Sequence, residues 1–128
     1  MKKAFLVFLA VLLMTNLAHA QTKVSRIVVT TGIENKEPAD NVSTVGGGMQ
    51  DIYCFTEIQT DEYPTEITHI WIHEKNIEAE VKLFIGSPKW RTYSSKTISP
   101  DKTGEWKVEI YAQSGQLIDS VDFKVNEQ

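Results

Sequence analysis

Between Ile77 and Ile85 every second residue is apolar, and the residues between are charged for most of the run. Ile77, Ala79, Val81, Leu83 and Ile85 form one set, and Glu78, Glu80 and Lys82 form the other. A period of two sorts these sets onto opposite faces of an extended strand, whereas a helix would mix them. The pattern returns as Trp106, Val108 and Ile110 against Glu105, Lys107 and Glu109. It appears again as Val121, Phe123 and Val125 against Asp122 and Lys124. One wet face and one dry face per strand indicate antiparallel pairing rather than a parallel sheet buried under helices. Beyond residue 20 no helix-sized window keeps a helical apolar stripe.

Glycine and proline mark where the strands stop. All 7 glycines and all 4 prolines fall between β-rich runs, as expected of residues excluded from central strands. The runs they leave are 24–31, 51–59, 66–74, 77–85, 90–97, 105–111 and 117–125. Short strands at this spacing predict an all-β chain folded as a single antiparallel β-sandwich of about seven strands, immunoglobulin-like in general architecture. Glu74-Lys75-Asn76, the stretch 101–104 and Ser114-Gly115 suit tight reversals. The exception is a long polar connection at about 32–50, containing Gly46-Gly47-Gly48, which reads as functional or mobile. Those glycines precede a strand rather than a helix, so they do not form a phosphate-cradling loop.

The amino end reads as an export signal. Lys2 and Lys3 precede an apolar run from Ala4 to Met14, and Ala18-His19-Ala20 is a small-x-small cleavage site. As a helix that run spans roughly 16 Å, short of the ~30 Å hydrocarbon core. The expected organisation is a signal peptide over 1–20 and one domain over 21–128, with no membrane span in the mature chain. The expected location is periplasmic or extracellular. The full chain has 13 basic and 17 acidic residues, a net charge of −4. Removing Lys2 and Lys3 leaves 11 basic residues against the same 17 acids, or −6. That balance argues against nucleic acid as a partner, because a sequence-independent grip needs clustered cations. Cys54 is the only cysteine, so no internal disulfide forms, and its strand-like surroundings mark it as core.

Two segments carry candidate binding groups. His69, Trp71 and His73 lie on one strand, where histidines four apart are separated by about 13 Å, too far to share an ion. Either Ile70 and Ile72 face inward, leaving His69, Trp71 and His73 as an exposed row, or Ile67 and Trp71 face inward and His69 is a hydrogen-bonded core residue. The second segment runs from Trp90 to Lys96. Alternation puts Trp90, Thr92, Ser94 and Lys96 on one face and Arg91, Tyr93 and Ser95 on the other. Trp90, Arg91 and Tyr93 have the composition of a recognition surface, or they anchor an edge strand whose cations pair with neighbouring acids. Ser94 with Lys96 is the only same-face serine–lysine pair, and no oxyanion-hole motif accompanies it.

An ordered set of residues carries a family resemblance. It comprises Arg26, Thr30-Thr31, Glu37-Pro38, Ile52-Tyr53-Cys54-Phe55-Thr56, Thr68-His69-x-Trp71, Trp90-Arg91-Thr92-Tyr93-Ser94-Ser95-Lys96, Gly104-Glu105-Trp106-x-Val108 and Ser114-Gly115. The chain resembles the bacterial family called domain of unknown function 2914, DUF2914, over nearly all of its mature length. The resemblance implies a small exported β-rich domain and brings no activity or catalytic residue with it. In that pattern polar or aromatic residues tend to follow the motif histidine, where this chain has Ile70 and Ile72.

No G-x-S-x-G, C-x-x-C, H-E-x-x-H or paired-carboxylate motif is present. The functional expectation is therefore a non-enzymatic exported module with no cofactor and no metal. Its partner is a protein reached through a sheet edge or the 32–50 loop, or alternatively a glycan reached through aromatic residues. A small hydrolase is the remaining alternative.

Overall fold

A computed structural model describes residues 21–128, so the expected signal over 1–20 lies outside the described residues. The strands are β1 (Thr22–Thr30), β2 (Ile33–Glu34), β3 (Glu37–Pro38), β4 (Thr44–Val45), β5 (Gln50–Thr60), β6 (Thr65–His73), β7 (Asn76–Ile85), β8 (Lys89–Ile98), β9 (Gly104–Ala112) and β10 (Leu117–Val125). The seven long strands coincide with the runs left by glycine and proline.

They form two sheets. One has the order β1-β5-β8, the other β4-β10-β9-β6-β7, and β2 and β3 make a separate small hairpin. All pairs of long strands are antiparallel, and only the stub β4 runs parallel to its neighbour β10. The fold is an immunoglobulin-like β-sandwich. Each sheet buries its apolar side against the other: Val29, Ile52, Cys54 and Ile58 from the first, and Ile67, Trp71, Val108 and Ile110 from the second, are all 0% exposed. Trp106 stacks on Phe123 at 5.8 Å between ring centres, and Phe123 meets Trp71 edge-on at 6.1 Å. These contacts fill the interior with large rings whose burial dominates the stability of small sandwiches. Cys54 is a core hydrophobe, and burial pushes its thiol pKa up.

The alternation fails at one place. Ile77 was expected inside, and it is 67% exposed. Trp71 pairs with Ala79 but Ile72 pairs with Ile77, so Glu78 is an extra residue on β7. A bulge of this kind reverses the facing of everything beyond it.

The 32–50 connection is also more organised than its composition suggests. Asn35 and Lys36, with φ of 53° and 61°, turn the β2–β3 hairpin, and β4 extends the larger sheet. Asp40 ties the segment to the end of β1. Its Oδ1 accepts from Thr30 Oγ1 at 2.6 Å and from the Thr31 amide at 2.8 Å. The order in this connection, expected from sequence to be functional or mobile, comes from contacts between short polar side chains, which leave no periodic mark in a sequence.

Candidate functional site

His69 and Trp71 point into the sandwich. His69 Nδ1 lies 2.6 Å from Ser94 Oγ, and Trp71 Nε1 donates to the same oxygen at 3.0 Å. On the other side of the ring, His69 Nε2 is 3.2 Å from Thr56 Oγ1, which is 3.5 Å from the Thr92 carbonyl. The donor inventory orders this chain. Indole N–H can only donate, so Ser94 accepts from Trp71, and its own proton finds a partner in the network only on Nδ1. His69 is then the neutral Nε2–H tautomer, donating to Thr56, whose hydroxyl proton goes to Thr92. Every polar atom is satisfied, as burial requires. Burial pushes the imidazole pKa down to about 3, because desolvation disfavours its charged form.

This network bridges the two sheets, since Thr56 and Ser94 come from one and His69 and Trp71 from the other. Ser94 and His69 have the spacing of a nucleophile and its base, but His69 is 0% exposed and Ser94 5%. No substrate atom reaches Ser94 Oγ without separating the sheets. Lys96 turns away, its Nζ donating to the Thr97 carbonyl at 3.1 Å, so the serine–lysine pairing does not form. Trp71 and His69, candidates as ligand contacts in an exposed row, are interior residues. His73, the third member, donates Nε2–H to the Thr103 carbonyl at 2.6 Å and lies 4.9 Å from Trp106. It closes one end of the core rather than joining a surface row.

The other three candidates meet at a sheet edge. Among the described residues β8 pairs with β5 alone and β7 with β6 alone, and the short turn between them puts both free edges on one side of the sandwich. Burial alternates along β8, with Trp90, Thr92 and Ser94 turned inward and Arg91, Tyr93 and Ser95 outward. At the edge these faces converge. Trp90, Arg91 and Tyr93, joined by Thr92, Phe84 and Lys36, line a depression of about 390 Å³. Phe84 is 62% and Tyr93 45% exposed. The rings of Phe84 and Trp90 stand at 89° with centres 5.8 Å apart. Gly86 makes this closure feasible: a Cβ there would lie 2.7 Å from Phe84 and 3.1 Å from Trp90. Phe84 and Lys36 were not among the sequence candidates. Phe84 was legible as an aromatic residue at a wet-face position of β7, whereas Lys36 arrives only because the β2–β3 hairpin folds over the smaller sheet.

The backbone of β8 also faces this side. The Thr60 amide donates to the Pro88 carbonyl at 2.9 Å. Counting along the register, the amides and carbonyls of Trp90, Thr92, Ser94 and Lys96 bond to β5. Those of Arg91, Tyr93, Ser95 and Thr97 therefore point away from β5, along the free edge.

Behind the cleft lies a chain of charges on the outer face of the smaller sheet. Glu37 accepts from Arg26 Nη2 and from Arg91 Nη1, both at 2.8 Å. Arg26 also stands 4.7 Å above the Phe55 ring and 3.8 Å from Glu57, which Lys89 approaches to 3.9 Å. Arg91 thus pairs with an acid, and that pairing pins the β2–β3 hairpin over Phe55, buried although it sits on an outward position of β5. On the opposite sheet Ile70 and Ile72 are half-buried on the outer face among Lys107, Glu109 and Asp122. Among the described residues no group of three His, Cys, Asp or Glu side chains comes together to hold a metal ion.

The family model described as protein of unknown function, DUF2914, matches residues 64–125. Over that stretch, just under half of its length, the chain is similar to the DUF2914 family. The match takes in β6 to β10, hence His69, Trp71, Ser94 and the β8 edge. It does not extend over Arg26, Glu37 or Thr56, so the resemblance is narrower than the motifs alone imply. No curated protein matches the chain in sequence.

Two structures of one CARDB domain from Pyrococcus furiosus share the fold of this chain at 8% identity. The crystal structure, in complex with di-metal ions, has a TM-score of 0.53 and covers 85% of this chain and 96% of that one. The solution structure has a TM-score of 0.54 and covers 86% and 100%. A β-glucosidase from Listeria innocua is matched at a TM-score of 0.47 and 9% identity, covering 85% of this chain and 16% of the other.

Proposed function

We propose that this protein is an exported, non-catalytic binding module that takes a protein partner by strand addition at the free edge of β8. The observation that carries the reading is the coincidence of a ten-residue strand that, among the described residues, is paired on one side only with an aromatic cleft beside it. An incoming extended segment bonds to the outward amides and carbonyls of Arg91, Tyr93, Ser95 and Thr97. One of its side chains enters the Phe84–Trp90–Tyr93 cleft, so backbone supplies affinity and the cleft supplies selectivity. Likeness in fold to a CARDB domain and similarity over residues 64–125 to a family of unknown function are both compatible with a module of this kind. Burial of the Ser94–His69 pair is what speaks against hydrolysis. Export rests on the lysines, apolar run and cleavage site of residues 1–20.

A glycan is the competing ligand, since aromatic rings line the cleft. Sugar faces stack on broad exposed planes, and here Phe84 and Trp90 stand perpendicular while Trp71 is unavailable. Peptide and glycan arrays probed with the purified protein separate the two. The expected result is peptide binding that shifts the amide resonances of Arg91, Tyr93, Ser95 and Thr97. Glycan binding with those amides unmoved, or no binding on either array, overturns the proposal.

A further inference from the structure

The β8 edge is a basic island on an acidic molecule. The whole chain has 17 acidic and 13 basic residues, yet β8 carries Lys89, Arg91 and Lys96 and no acid. Lys36 and Arg91 bring charge to the rim of the cleft, and no acidic residue lines it. The acids nearby are already engaged from behind. Glu37 accepts from both Arg26 and Arg91, and Glu57 takes Ser25 Oγ at 2.9 Å with Arg26 and Lys89 farther off. Among the described residues Lys36 and Lys96 enter no ion pair.

We infer that the partner segment is acidic: an extended peptide with Asp or Glu flanking one large apolar residue. The inference rests on the edge-docking reading and adds the partner's chemistry to it. The apolar residue fills the space between Phe84, Trp90 and Tyr93. Its acidic neighbours along the strand meet Lys36 and Lys96, which enter no ion pair among the described residues, and Arg91, whose one ion-pair partner there is Glu37. Cross-strand pairs of opposite charge favour this arrangement, and complementary fields select the partner and speed its arrival. A second copy of β8 is a poor occupant. Pairing the strand with itself brings Lys89, Arg91 and Lys96 of two copies together with no acid on either strand, and like charges across a strand pair destabilise it.

Selection of a random dodecapeptide library against the purified protein tests both levels. Enriched peptides should be rich in Asp and Glu around a single Trp, Phe, Leu or Met, and should shift the outward amides of β8. Their affinity should fall about tenfold or more from low to high salt, and comparably in Lys36→Glu/Lys96→Glu. Ser95→Pro, which removes an outward amide without taking a bond from β5, should weaken binding while thermal melting reports that the fold is kept. Enriched peptides that shift the β8 amides but are neutral or basic overturn the acidic partner and leave edge docking standing. Enrichment that Ser95→Pro does not reduce, or no enrichment at all, overturns both. A concentration-dependent dimer whose interface is β8 replaces the acidic peptide with a second copy.

Discussion

Ser94 Oγ stands 2.6 Å from His69 Nδ1 while accepting the Trp71 indole N–H at 3.0 Å, so one hydroxyl from the smaller sheet holds two residues of the larger. An oxygen in that position is costly to lose. Ser94→Ala leaves an imidazole nitrogen and an indole N–H buried without partners, at roughly 1–3 kcal/mol for each orphaned group. A urea melt should show a loss of about 2–6 kcal/mol, the sum over the two groups. A loss under 0.5 kcal/mol would mean that the network does not join the sheets.

The same imidazole makes stability depend on pH. Folded, His69 titrates at about 3, against an ordinary value of 6.5. Between those values the unfolded chain binds a proton that the folded chain does not, so stability is complete above about pH 6.5 and falls as pH drops toward 3. The steepest contribution is about 1.4 kcal/mol per pH unit. Denaturant melts from pH 7 to pH 4 should show that slope, reduced by about one proton in His69→Gln. Identical slopes in the two proteins would exclude a neutral buried histidine.

Asp40 acts lower on the scale. Hydrogen bonds from the side chains of Thr30 and Thr31, and then from the Thr31 amide, hold its carboxyl below the ordinary 3.8. A depressed carboxylate contributes above its unfolded pKa, and its contribution disappears as pH falls through the folded one. Asp40→Asn should loosen the 32–50 segment, seen as faster amide exchange at Val42, whose N–H bonds to the Val29 carbonyl at 2.9 Å. Unchanged exchange there would show that Asp40 does not anchor the segment.

Trp106 lies between Phe123 and His73, 2% exposed, with its indole N–H on the Lys102 carbonyl at 2.8 Å. Trp106→Ala should cost roughly 3–5 kcal/mol. By contrast Glu37→Gln breaks ion pairs whose partners are around 40% exposed, and pairs of that kind contribute about 1 kcal/mol or less. Equal losses in the two variants would mean that the charge chain, rather than the ring cluster, holds the domain together.

Export has a direct readout. Produced in a bacterium with an intact secretion pathway, the protein should be recovered outside the cytoplasm with Gln21 as its first residue. Recovery from the cytoplasm with Met1 in place would overturn the reading of residues 1–20.

Alternation along β7, β9 and β10, with glycine and proline between them, was enough to determine an antiparallel sandwich and the bounds of its long strands. Both follow from local rules, a side-chain period of two and backbones that cannot enter a ladder. The facing of β6 was undetermined, because apolar residues occupy both of its sides. Packing decided it: Trp71 fills the interior against Phe123, and Ser94 supplies the oxygen that makes burial of His69 tolerable. The bulge at Glu78 and the Asp40 anchor depended on partners distant in sequence. Of the cleft, Trp90, Arg91 and Tyr93 could be picked from composition. Lys36 and Phe84 joined them only when the hairpin folded over one sheet and the β7–β8 turn brought two free edges together, a proximity that long-range strand pairing creates and no local pattern encodes.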